Sequence, residues 1–394
     1  MIAARTVMVP KERGRETRVA LVPTVIPSLI GAGWRVLVEP GAGIAAGYPD
    51  EVFTAHGAEI AADVQRPDVV VGVRLGGASD DPLNLERRLA PGTILVGIAD
   101  PVGAPEAIGE IADADLTLYA LDLLPRIARA QSMDVLSSQS TVTGYKAAVL
   151  AAAALPKMFP MLTTAAGTVP PAEVLVVGAG VCGLTAIATA KRLGAVVQAY
   201  DVRPAAQEDI ESVGARAVLL PLQPADAEDA TGYAKDLGDA FERRQQDLLA
   251  QVIAGIDVAI TCASIPGRPA PILLTAEAVA EMPHGSVVMD CAAPRGGNCA
   301  LMRPDEEVVT ERGVHIFGPT NLPATIPRDA SRMFAKNLVA FLTTMLDDPS
   351  APPNLDDEIV RDTLVTRDGA VVHERIHQIV DALPREEATR ATAP

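Results

Sequence analysis

Aromatic residues and basic runs are both scarce in this chain of 394 residues. Aromatic side chains make up only 3% of it, so its cores have to be built from Ala, Val, Leu and Ile within a hydrophobic share of 49%. There are 33 Lys and Arg against 50 Asp and Glu, which gives a formal net charge of −17. Proteins that bind nucleic acid present clustered Lys and Arg to phosphates. The composition therefore predicts no nucleic-acid partner.

Long apolar runs are also missing. A membrane-spanning helix needs roughly 20 consecutive apolar residues. The longest candidate, Ala147 to Leu155, is about half that length and is followed by Pro156. The N-terminal residues have neither the apolar region nor the cleavage site of a signal peptide. We therefore expect a soluble chain without a targeting segment.

Cysteine and histidine are few and form no ligand pattern. The four cysteines have neither CxxC spacing nor nearby ligand partners, and Cys182 and Cys262 are expected to be buried thiols within apolar stretches. None of the five histidines lies in a glycine-rich loop or beside paired carboxylates, so each is expected at the surface or in packing. The prediction is a chain of a reducing compartment that binds no metal.

Apolar runs alternate with helical patterns through most of the chain, which is typical of parallel sheets covered on both faces. In residues 1–122 the predicted strands are Thr6–Val9, Arg35–Val38, Asp68–Val73, Thr93–Ile98 and Leu116–Leu121. The predicted helices between them are Thr24–Ala32, Pro49–His56, Leu83–Leu89 and Pro105–Ile111. Residues 173–318 show the same alternation, and the predicted strands there are Glu173–Val177, Ala195–Asp201, Ala215–Leu220, Asp257–Ala263, Ser286–Asp290 and Val314–Phe317.

The predicted fold class is therefore α/β, with two doubly wound Rossmann-like domains joined by a long helix. The helical stretch is Ala128 to Ala154, and a second one, Ala330 to Leu346, leads a C-terminal segment back to the first domain. Residues 365–371 are predicted to form a hairpin with an Asp-Gly turn. We assign residues 1–135 and 327–383 to the first domain, 136–326 to the second, and 384–394 to a frayed tail.

A glycine-rich turn after the strand Glu173–Val177 predicts a dinucleotide site. The sequence Gly178-Ala179-Gly180-Val181-Cys182-Gly183 opens a helix, and Asp201 ends the next strand about twenty residues on, as the fingerprint requires. The glycines allow the tight turn, the approach of the pyrophosphate and close helix packing, while the helix N-terminus offers free N–H groups. Asp201, followed by Val202, favours NAD over NADP, although Arg203 is a guanidinium able to accommodate a 2′-phosphate.

Two further stretches have an ambiguous pattern. Between Arg126 and Ser137, Gln131 and Asp134 would share one face of a helix, and Arg126 could pair with Asp134. From the residues alone this is as consistent with a helix-capping network as with a site. The acidic stretch from Pro221 to Arg244 is long for a loop inside a domain and is either a surface loop or functional.

Several motifs resemble those of proton-translocating nicotinamide nucleotide transhydrogenases, in the alanine dehydrogenase/pyridine nucleotide transhydrogenase family. The resemblance covers nearly the whole chain and is closest to the NAD(H)-binding part of these enzymes. The motifs, besides the glycine turn, are Val9-Pro10-Lys11-Glu12, Glu16 to Leu21, Val38 to Gly43, Pro125 to Ser138, Thr163 to Thr168, Gly232 to Lys235, Ile265 to Pro271 and Gly296 to Cys299.

The resemblance implies roles for individual residues. Arg126, Gln131, Asp134 and Ser137, with Ser132 and Met133 between them, would hold the nicotinamide end of NAD(H) and face a partner's nucleotide. Tyr233 would lie on a flap that closes over the cofactor, with Gly232 and Gln245 near the nucleotide. Ser264 stands where the family usually has a larger apolar residue, so a contact there would use its backbone.

The resemblance also implies an activity. Hydride would pass between NADH here and NADP(H) on a partner subunit, coupled to proton flow by separate membrane subunits. Transfer between two nicotinamides needs no general acid or base, which suits a chain without a placed histidine. The family also implies a homodimer, located in the cytoplasm and held peripherally on the inner face of the membrane through its partners.

Three departures count against amino-acid chemistry. Gly72 stands where both sister families commonly have Lys, Val96 to Ala99 lacks the substrate histidine of alanine dehydrogenases, and Pro294 replaces a catalytic Asp. Pyruvate needs a cationic carboxylate clamp and a proton donor. The alternatives left open are an NAD-dependent amino-acid dehydrogenase resembling alanine dehydrogenase, and a non-catalytic NAD-binding regulatory protein.

Overall fold

The computed structural model describes residues 5–62, 66–78, 88–222, 238–264, 268–346 and 351–383. The chain forms two compact units. Unit 1 comprises Met1–Val135 and Ser331–Pro394, and unit 2 comprises Leu136–Ala330. The predicted helix Leu83–Leu89 lies mostly outside the described residues, and the predicted tail 384–394 lies wholly outside them.

In the described ranges the strands alternate with helices. The strands are β1 (Thr6–Val9), β2 (Arg35–Val38), β3 (Glu59–Ile60), β4 (Val69–Arg74), β5 (Ile94–Ile98), β6 (Thr117–Ala120), β7 (Leu162–Thr164), β8 (Gly167–Val169), β9 (Glu173–Val177), β10 (Val196–Tyr200), β11 (Arg216–Ala217), β12 (Val258–Thr261), β13 (Val287–Asp290), β14 (Glu307–Val309), β15 (His315–Phe317), β16 (Leu364–Arg367) and β17 (Ala370–Val371). The α-helices are α1 (Ile26–Gly31), α2 (Asp50–Ala55), α3 (Pro105–Asp113), α4 (Val135–Ala154), α5 (Val181–Arg192), α6 (Ala206–Ser212), α7 (Asp239–Ile253), α8 (Ala276–Ala280), α9 (Pro327–Met345), α10 (Glu358–Thr363) and α11 (Glu374–Asp381).

The sheet of unit 1 has the order β17-β16-β6-β5-β4-β1-β2-β3, and β1 to β6 pair in parallel. Strand β4 shows why its sequence carries no polar residue from Val69 to Val73. Val69 and Val71 pack in the core on one face of the sheet, whereas Val70 packs in the core on the other. Both faces are buried, so alternation between polar and apolar residues is absent, as expected for a parallel sheet under helices.

The sheet of unit 2 has the order β11-β10-β9-β12-β13-β15-β14 and is parallel except for β14. Strand β9 lies in its centre between β10 and β12. Its residues also alternate between two cores, with Val174 and Val176 in one and Leu175 and Val177 in the other. The α/β class with parallel sheets, predicted from the sequence, is confirmed.

Some predicted elements differ from those in the structure. The stretch Ala128 to Ala154 is not one helix, because a 3₁₀ helix over Ala128–Met133 ends at Asp134, whose backbone is extended, before α4 begins. The predicted strand Ala215–Leu220 pairs only at Arg216–Ala217. Each sheet also contains antiparallel strands at one end, β14 in unit 2 and β16 with β17 in unit 1, and the pairing of β14 was not predicted.

The predicted hairpin is present as β16 and β17, which pair antiparallel. Its turn residues Asp368 and Gly369 both have positive φ angles, 51° and 74°, as a two-residue type I′ turn requires. Helix α9, predicted as Ala330 to Leu346, spans Pro327–Met345. None of the helices in the described ranges has the length and hydrophobicity needed to cross a bilayer.

Candidate functional site

The glycine-rich turn of unit 2 lies at the carboxyl edge of its sheet, where ligands bind in doubly wound folds. Val177 at the end of β9 is paired with Tyr200 at the end of β10, so Gly178 and Asp201 follow side by side. The Gly178 N–H donates to the Tyr200 carbonyl at 2.8 Å. The register of two strands therefore places the acidic residue beside the turn.

Each glycine of the turn meets a different requirement. Gly178 has φ +95°, and a Cβ there would lie 2.8 Å from the Ala263 nitrogen. At Gly183 a Cβ would lie 1.8 Å from the Gly178 carbonyl oxygen, so only glycine lets helix α5 approach the turn this closely. A Cβ on Gly180 would meet no protein atom within 4 Å, which leaves room for a ligand against the backbone. Together with the N-terminus of α5, these features fit a pyrophosphate.

The Asp201 carboxylate is fully hydrogen-bonded. One oxygen accepts from the Ala179 N–H at 2.7 Å and from Arg203 Nη2 at 2.9 Å. The other accepts from the backbone N–H and Nε of Arg203, both at 2.9 Å. A carboxylate has about four acceptor positions, and these four hydrogen bonds occupy them. A ribose hydroxyl can therefore bind Asp201 only if a hydrogen bond from Arg203 is broken. Val202 lies half-buried between the two residues.

Gln245 and Ser264 lie on other elements of unit 2. The buried amide of Gln245, on α7, donates from Nε2 to the Tyr200 hydroxyl at 2.8 Å, next to Asp201 in the chain. Burial raises the pKa of the Tyr200 hydroxyl to about 12, so it stays protonated. Ser264 is exposed after β12. Of the predicted site residues, the structure therefore groups the glycine turn, Asp201 and Arg203, and places Gln245 against the last residue of β10, which Asp201 follows.

A buried network that the sequence did not reveal fixes the loops after β12 and β13. The Asp290 carboxylate accepts backbone N–H bonds from Ala292, Asn298 and Cys299, at 3.0, 2.7 and 2.8 Å. The Asn298 amide in turn accepts from the Ala263 N–H at 3.0 Å and donates to the Ala263 carbonyl at 2.8 Å. Burial raises the pKa of Asp290 although these bonds oppose the shift. The Gly296 to Cys299 motif was the only signal in the sequence for this network.

The predicted nicotinamide segment belongs mainly to unit 1. Gln131 and Ser132 are exposed on the 3₁₀ helix, whereas Met133 packs in the core beneath it. The Ser132 carbonyl accepts from Asn337 Nδ2 at 2.8 Å, so α9 supports this turn. Gln131 lies within the 3₁₀ helix and Asp134 caps its C-terminus, so the condition for a shared helical face is met only up to Met133.

The remaining members of the predicted segment have polar surroundings. Arg126 is exposed, and both it and Asp134 have polar or electrostatic partners. Ser137 is half-buried in the first turn of α4, which is assigned to unit 2. Gly232 and Tyr233, with most of the stretch from Pro221 to Arg244, lie outside the described residues.

A buried carboxyl group lies at the carboxyl ends of β1 and β4 in unit 1. Glu12 Oε1 accepts from the Val73 N–H at 2.6 Å, and Oε2 has no hydrogen-bond partner within the described ranges. Burial raises the pKa of Glu12 to about 8, and the charge of Glu16 adds to this while that of Arg18 opposes it. Arg18 itself binds Glu16 through two contacts at 2.7 and 2.6 Å.

Two of the five histidines, His284 and His315, lie in unit 2 and away from its glycine turn. The other three lie in unit 1. In unit 2, His315 begins β15 and hydrogen-bonds Glu307, and a Cβ on Gly313 would lie 2.9 Å from His284 Cε1, so both histidines lie at the amino-terminal edge of the sheet. The expectation of surface or packing histidines agrees with these positions.

The expectation for the cysteines is wrong in two respects. Cys182 and Cys262 are half-buried rather than buried, and the fold brings them together with Cys291. Only the tertiary structure shows this grouping, because the three residues are far apart in the chain.

Comparison with known proteins agrees with this architecture. The family model described as "Alanine dehydrogenase/PNT, N-terminal domain" matches residues 8–143, and "Alanine dehydrogenase/PNT, C-terminal domain" matches residues 147–374. The first part of the NAD(P) transhydrogenase subunit alpha of Rhodospirillum rubrum is 44% identical over 375 residues, which cover 93% of this chain and 97% of that protein.

Two further comparisons extend this result. The NAD(P) transhydrogenase subunit alpha of Cereibacter sphaeroides is 40% identical over 96% of this chain and 73% of that protein. A solved structure of a transhydrogenase from Sinorhizobium meliloti matches with a TM-score of 0.83 and 42% identity, over 93% of this chain and 100% of that chain.

Replacing Gly183 by Ala should weaken NADH binding at least tenfold and lower the stability of the fold. The new methyl group collides with the Gly178 carbonyl, and overpacking of this kind costs about 1–3 kcal/mol. Gly180→Ala should weaken NADH binding to a similar degree but leave the melting temperature unchanged, because its methyl group meets no protein atom.

Gly255→Ala is the matched control, since a Cβ there also meets nothing within 4 Å. NADH fluorescence titration and thermal unfolding measure the two effects. Wild-type affinity in Gly183→Ala would contradict the assignment of the turn.

Stability should depend on the ionisation of Glu12. The folded-state pKa of about 8 exceeds the ordinary value of 4.5, so folding favours the protonated form, and this stabilisation is lost as the pH rises from 4.5 through 8. The free energy of unfolding of Glu12→Gln minus that of wild type should therefore be larger at pH 8.5 than at pH 5.

Urea unfolding at both pH values tests this, with Glu51→Gln on the exposed surface of α2 as the control. A difference between wild type and Glu12→Gln that stays constant with pH would show that Glu12 is not protonated in the folded chain.

Proposed function

Because the chain belongs to the alanine dehydrogenase/PNT family, whose models match residues 8–143 and 147–374, we propose that it is the NAD(H)-binding subunit of a proton-translocating NAD(P) transhydrogenase. The observation that carries the proposal is the dinucleotide cradle of unit 2, made by the Gly178–Gly183 turn with Asp201 beside it. The relatives named transhydrogenase subunit alpha support the choice within the family.

In this proposal the protein binds and orients, and the nicotinamides supply and accept the hydride. The N-terminus of α5 and the Gly180 backbone hold the pyrophosphate, and Asp201 accepts from the adenosine ribose. Gln131 orients the nicotinamide end by neutral hydrogen bonds, with Arg126, Ser132, Met133, Asp134 and Ser137 around it. Such positioning is the main catalytic demand, because two nicotinamides exchange a hydride without a proton transfer.

The surroundings of Gly72 favour this reaction over amino-acid chemistry. A Cβ on Gly72 would lie 2.5 Å from Leu75 Cδ2, and one on Gly97 would lie 2.9 Å from Leu75 Cδ1. An apolar side chain therefore fills the space beside both strands where a cationic clamp for pyruvate and a proton donor would be required. Oxidation of NADH by the isolated chain with pyruvate and ammonium would contradict this argument.

The assembly proposed with this function has further parts. NADP(H) binds to a partner subunit, separate membrane subunits couple hydride transfer to proton translocation, and this chain lies in the cytoplasm, peripherally on the inner face of the membrane. The chain forms a homodimer, as the family resemblance implies. Hydride transfer requires no metal ion in this scheme, and the roles of Gly232 and Tyr233 as parts of a flap stay predictions.

Cofactor choice should depend on the pair Asp201 and Arg203. Asp201→Asn removes the negative charge that repels a 2′-phosphate, and the ratio of NADPH to NADH affinity should rise about tenfold to a hundredfold, the size of a charged hydrogen bond. Arg203→Ala should lower the same ratio, because it frees Asp201 for the ribose and removes a cation.

Parallel titrations with NADH and NADPH measure this ratio. Arg216→Ala, which loses an exposed contact to Gln198, is the control. An unchanged ratio in both variants would contradict the role of Asp201.

Reconstituted hydride transfer tests the function itself. The purified chain, NADH, an NADP⁺ analogue and the NADP(H)-binding and membrane subunits should together give transfer that each component alone does not support. Gln131→Asn and Asp134→Asn should lower the rate at least tenfold with little change in NADH affinity, since they position the nicotinamide end. Gln207→Asn, on the surface of α6, is the control.

Two outcomes would contradict the assignments. If NADH binds but no hydride reaches the analogue in the complete mixture, the chain is a binding protein and not a transhydrogenase subunit. If transfer occurs and both variants keep the wild-type rate, the function stands and the roles of Gln131 and Asp134 are wrong.

A further inference from the structure

Three of the four cysteines converge at the carboxyl edge of the unit 2 sheet. Cys182 is the second residue of α5, Cys262 follows β12 and Cys291 follows β13. Their Sγ atoms all lie within 4.8 Å of one another, and those of Cys182 and Cys262 are 3.2 Å apart. Strands β9, β12 and β13 are parallel neighbours, so their carboxyl ends, and the thiols that follow, meet at one edge.

The separation of the three sulfurs suits a single ion. Two thiolates that each lie about 2.3 Å from a tetrahedral Zn²⁺ are about 3.8 Å apart. This distance lies between the 3.2 Å that separates the Sγ atoms of Cys182 and Cys262 and the 4.8 Å within which all three Sγ atoms lie. A disulfide would use only two thiols, and the convergence of a third is what distinguishes this cluster. We propose that Cys182, Cys262 and Cys291 form a three-thiolate site for a thiophilic metal ion such as Zn²⁺, with its fourth position open to a small external ligand.

The electrostatic environment favours thiolate at Cys182. It lies in the first turn of a helix of 12 residues, where the positive end of the helix dipole stabilises a negative charge. Hydrogen bonds from Cys262 and Cys291 hold the pKa of the Cys182 thiol well below its ordinary value, and donating those bonds raises the pKa of both donors. A divalent ion that binds the three sulfurs as thiolates would displace the protons that the thiols still hold.

The neighbouring groups leave the three thiols as the ligand set. As whole residues, all three cysteines are half-buried. The nearby Asp290 carboxylate already accepts three backbone N–H bonds. The fourth cysteine, Cys299, is buried outside the cluster, and burial raises the pKa of its thiol to about 11.

The cluster adjoins the dinucleotide cradle. A Cβ on Gly178 would lie 2.9 Å from the carbonyl carbon of Cys262, and Cys182 lies between Val181 and Gly183 of the turn. An ion bound to the three sulfurs would therefore connect helix α5 to the ends of β12 and β13. Its binding should raise the thermal stability of unit 2 and change the affinity for NADH.

Metal titration of the full chain tests the proposal. The protein, reduced with a phosphine so that no added thiol competes, is titrated with Zn²⁺ against a chromophoric chelator and separately with Cd²⁺ by sulfur-to-metal charge-transfer absorption. We expect one ion per chain, three sulfurs in the Cd²⁺ spectrum and a higher melting temperature with Zn²⁺. Cys182→Ser, Cys262→Ser and Cys291→Ser should each weaken binding at least tenfold, and Cys299→Ser should not.

Circular dichroism identifies any variant that fails to fold, and Cys→Ala at the same position then replaces it. The same tenfold loss is expected for these alanine variants. Binding that survives removal of all three thiols would overturn the proposal, as would the absence of uptake by the reduced chain. A disulfide between Cys182 and Cys262 without metal binding in the reduced state would also overturn it and identify the cluster as a redox pair.

Discussion

The buried carboxylate of Asp290 is the constraint on which the cofactor site of unit 2 depends. It binds the backbone N–H groups of the loop that follows β13, including that of Asn298. The Asn298 amide then holds both polar atoms of the Ala263 backbone. Ala263 is the residue against which Gly178 packs, so one buried charge determines where the glycine turn lies. Burying a carboxylate is costly unless it is hydrogen-bonded, and its three N–H donors offset part of that cost.

Specificity in this site comes from a balance between two side chains. Asp201 lies where it can recognise a ribose diol, but Arg203 occupies both of its oxygens in the structure described. Ribose binding must therefore exchange one ion-pair contact for another hydrogen bond, which lowers the net gain in free energy. The selectivity for NAD proposed for this chain thus depends on the strength of the pair as well as on the charge of Asp201.

The parts of the structure that the sequence could predict are local. Strands β1, β2 and β9 have the predicted bounds, because a run of branched apolar residues between turn residues is sufficient to define them. The glycine turn was likewise readable, since its steric requirements lie within six residues. Asp134 shows the limit, because the pattern predicted a helical stretch through it, whereas the 3₁₀ helix ends there with an extended backbone. The Asp290 network and the cysteine cluster join distant segments, and no local pattern encodes them.

The edge of the unit 1 sheet has a consequence for the order of events during synthesis. Strand β16 pairs antiparallel with β6, and the Thr366 hydroxyl donates to the Leu116 carbonyl at 2.7 Å. Strand β6 therefore has an unpaired edge until Leu364–Arg367 have left the ribosome, whereas unit 2 is continuous in sequence from Leu136 to Ala330. Domains fold as units as they emerge. The cofactor domain can thus fold before β16 is translated, whereas the sheet of unit 1 is complete only after it.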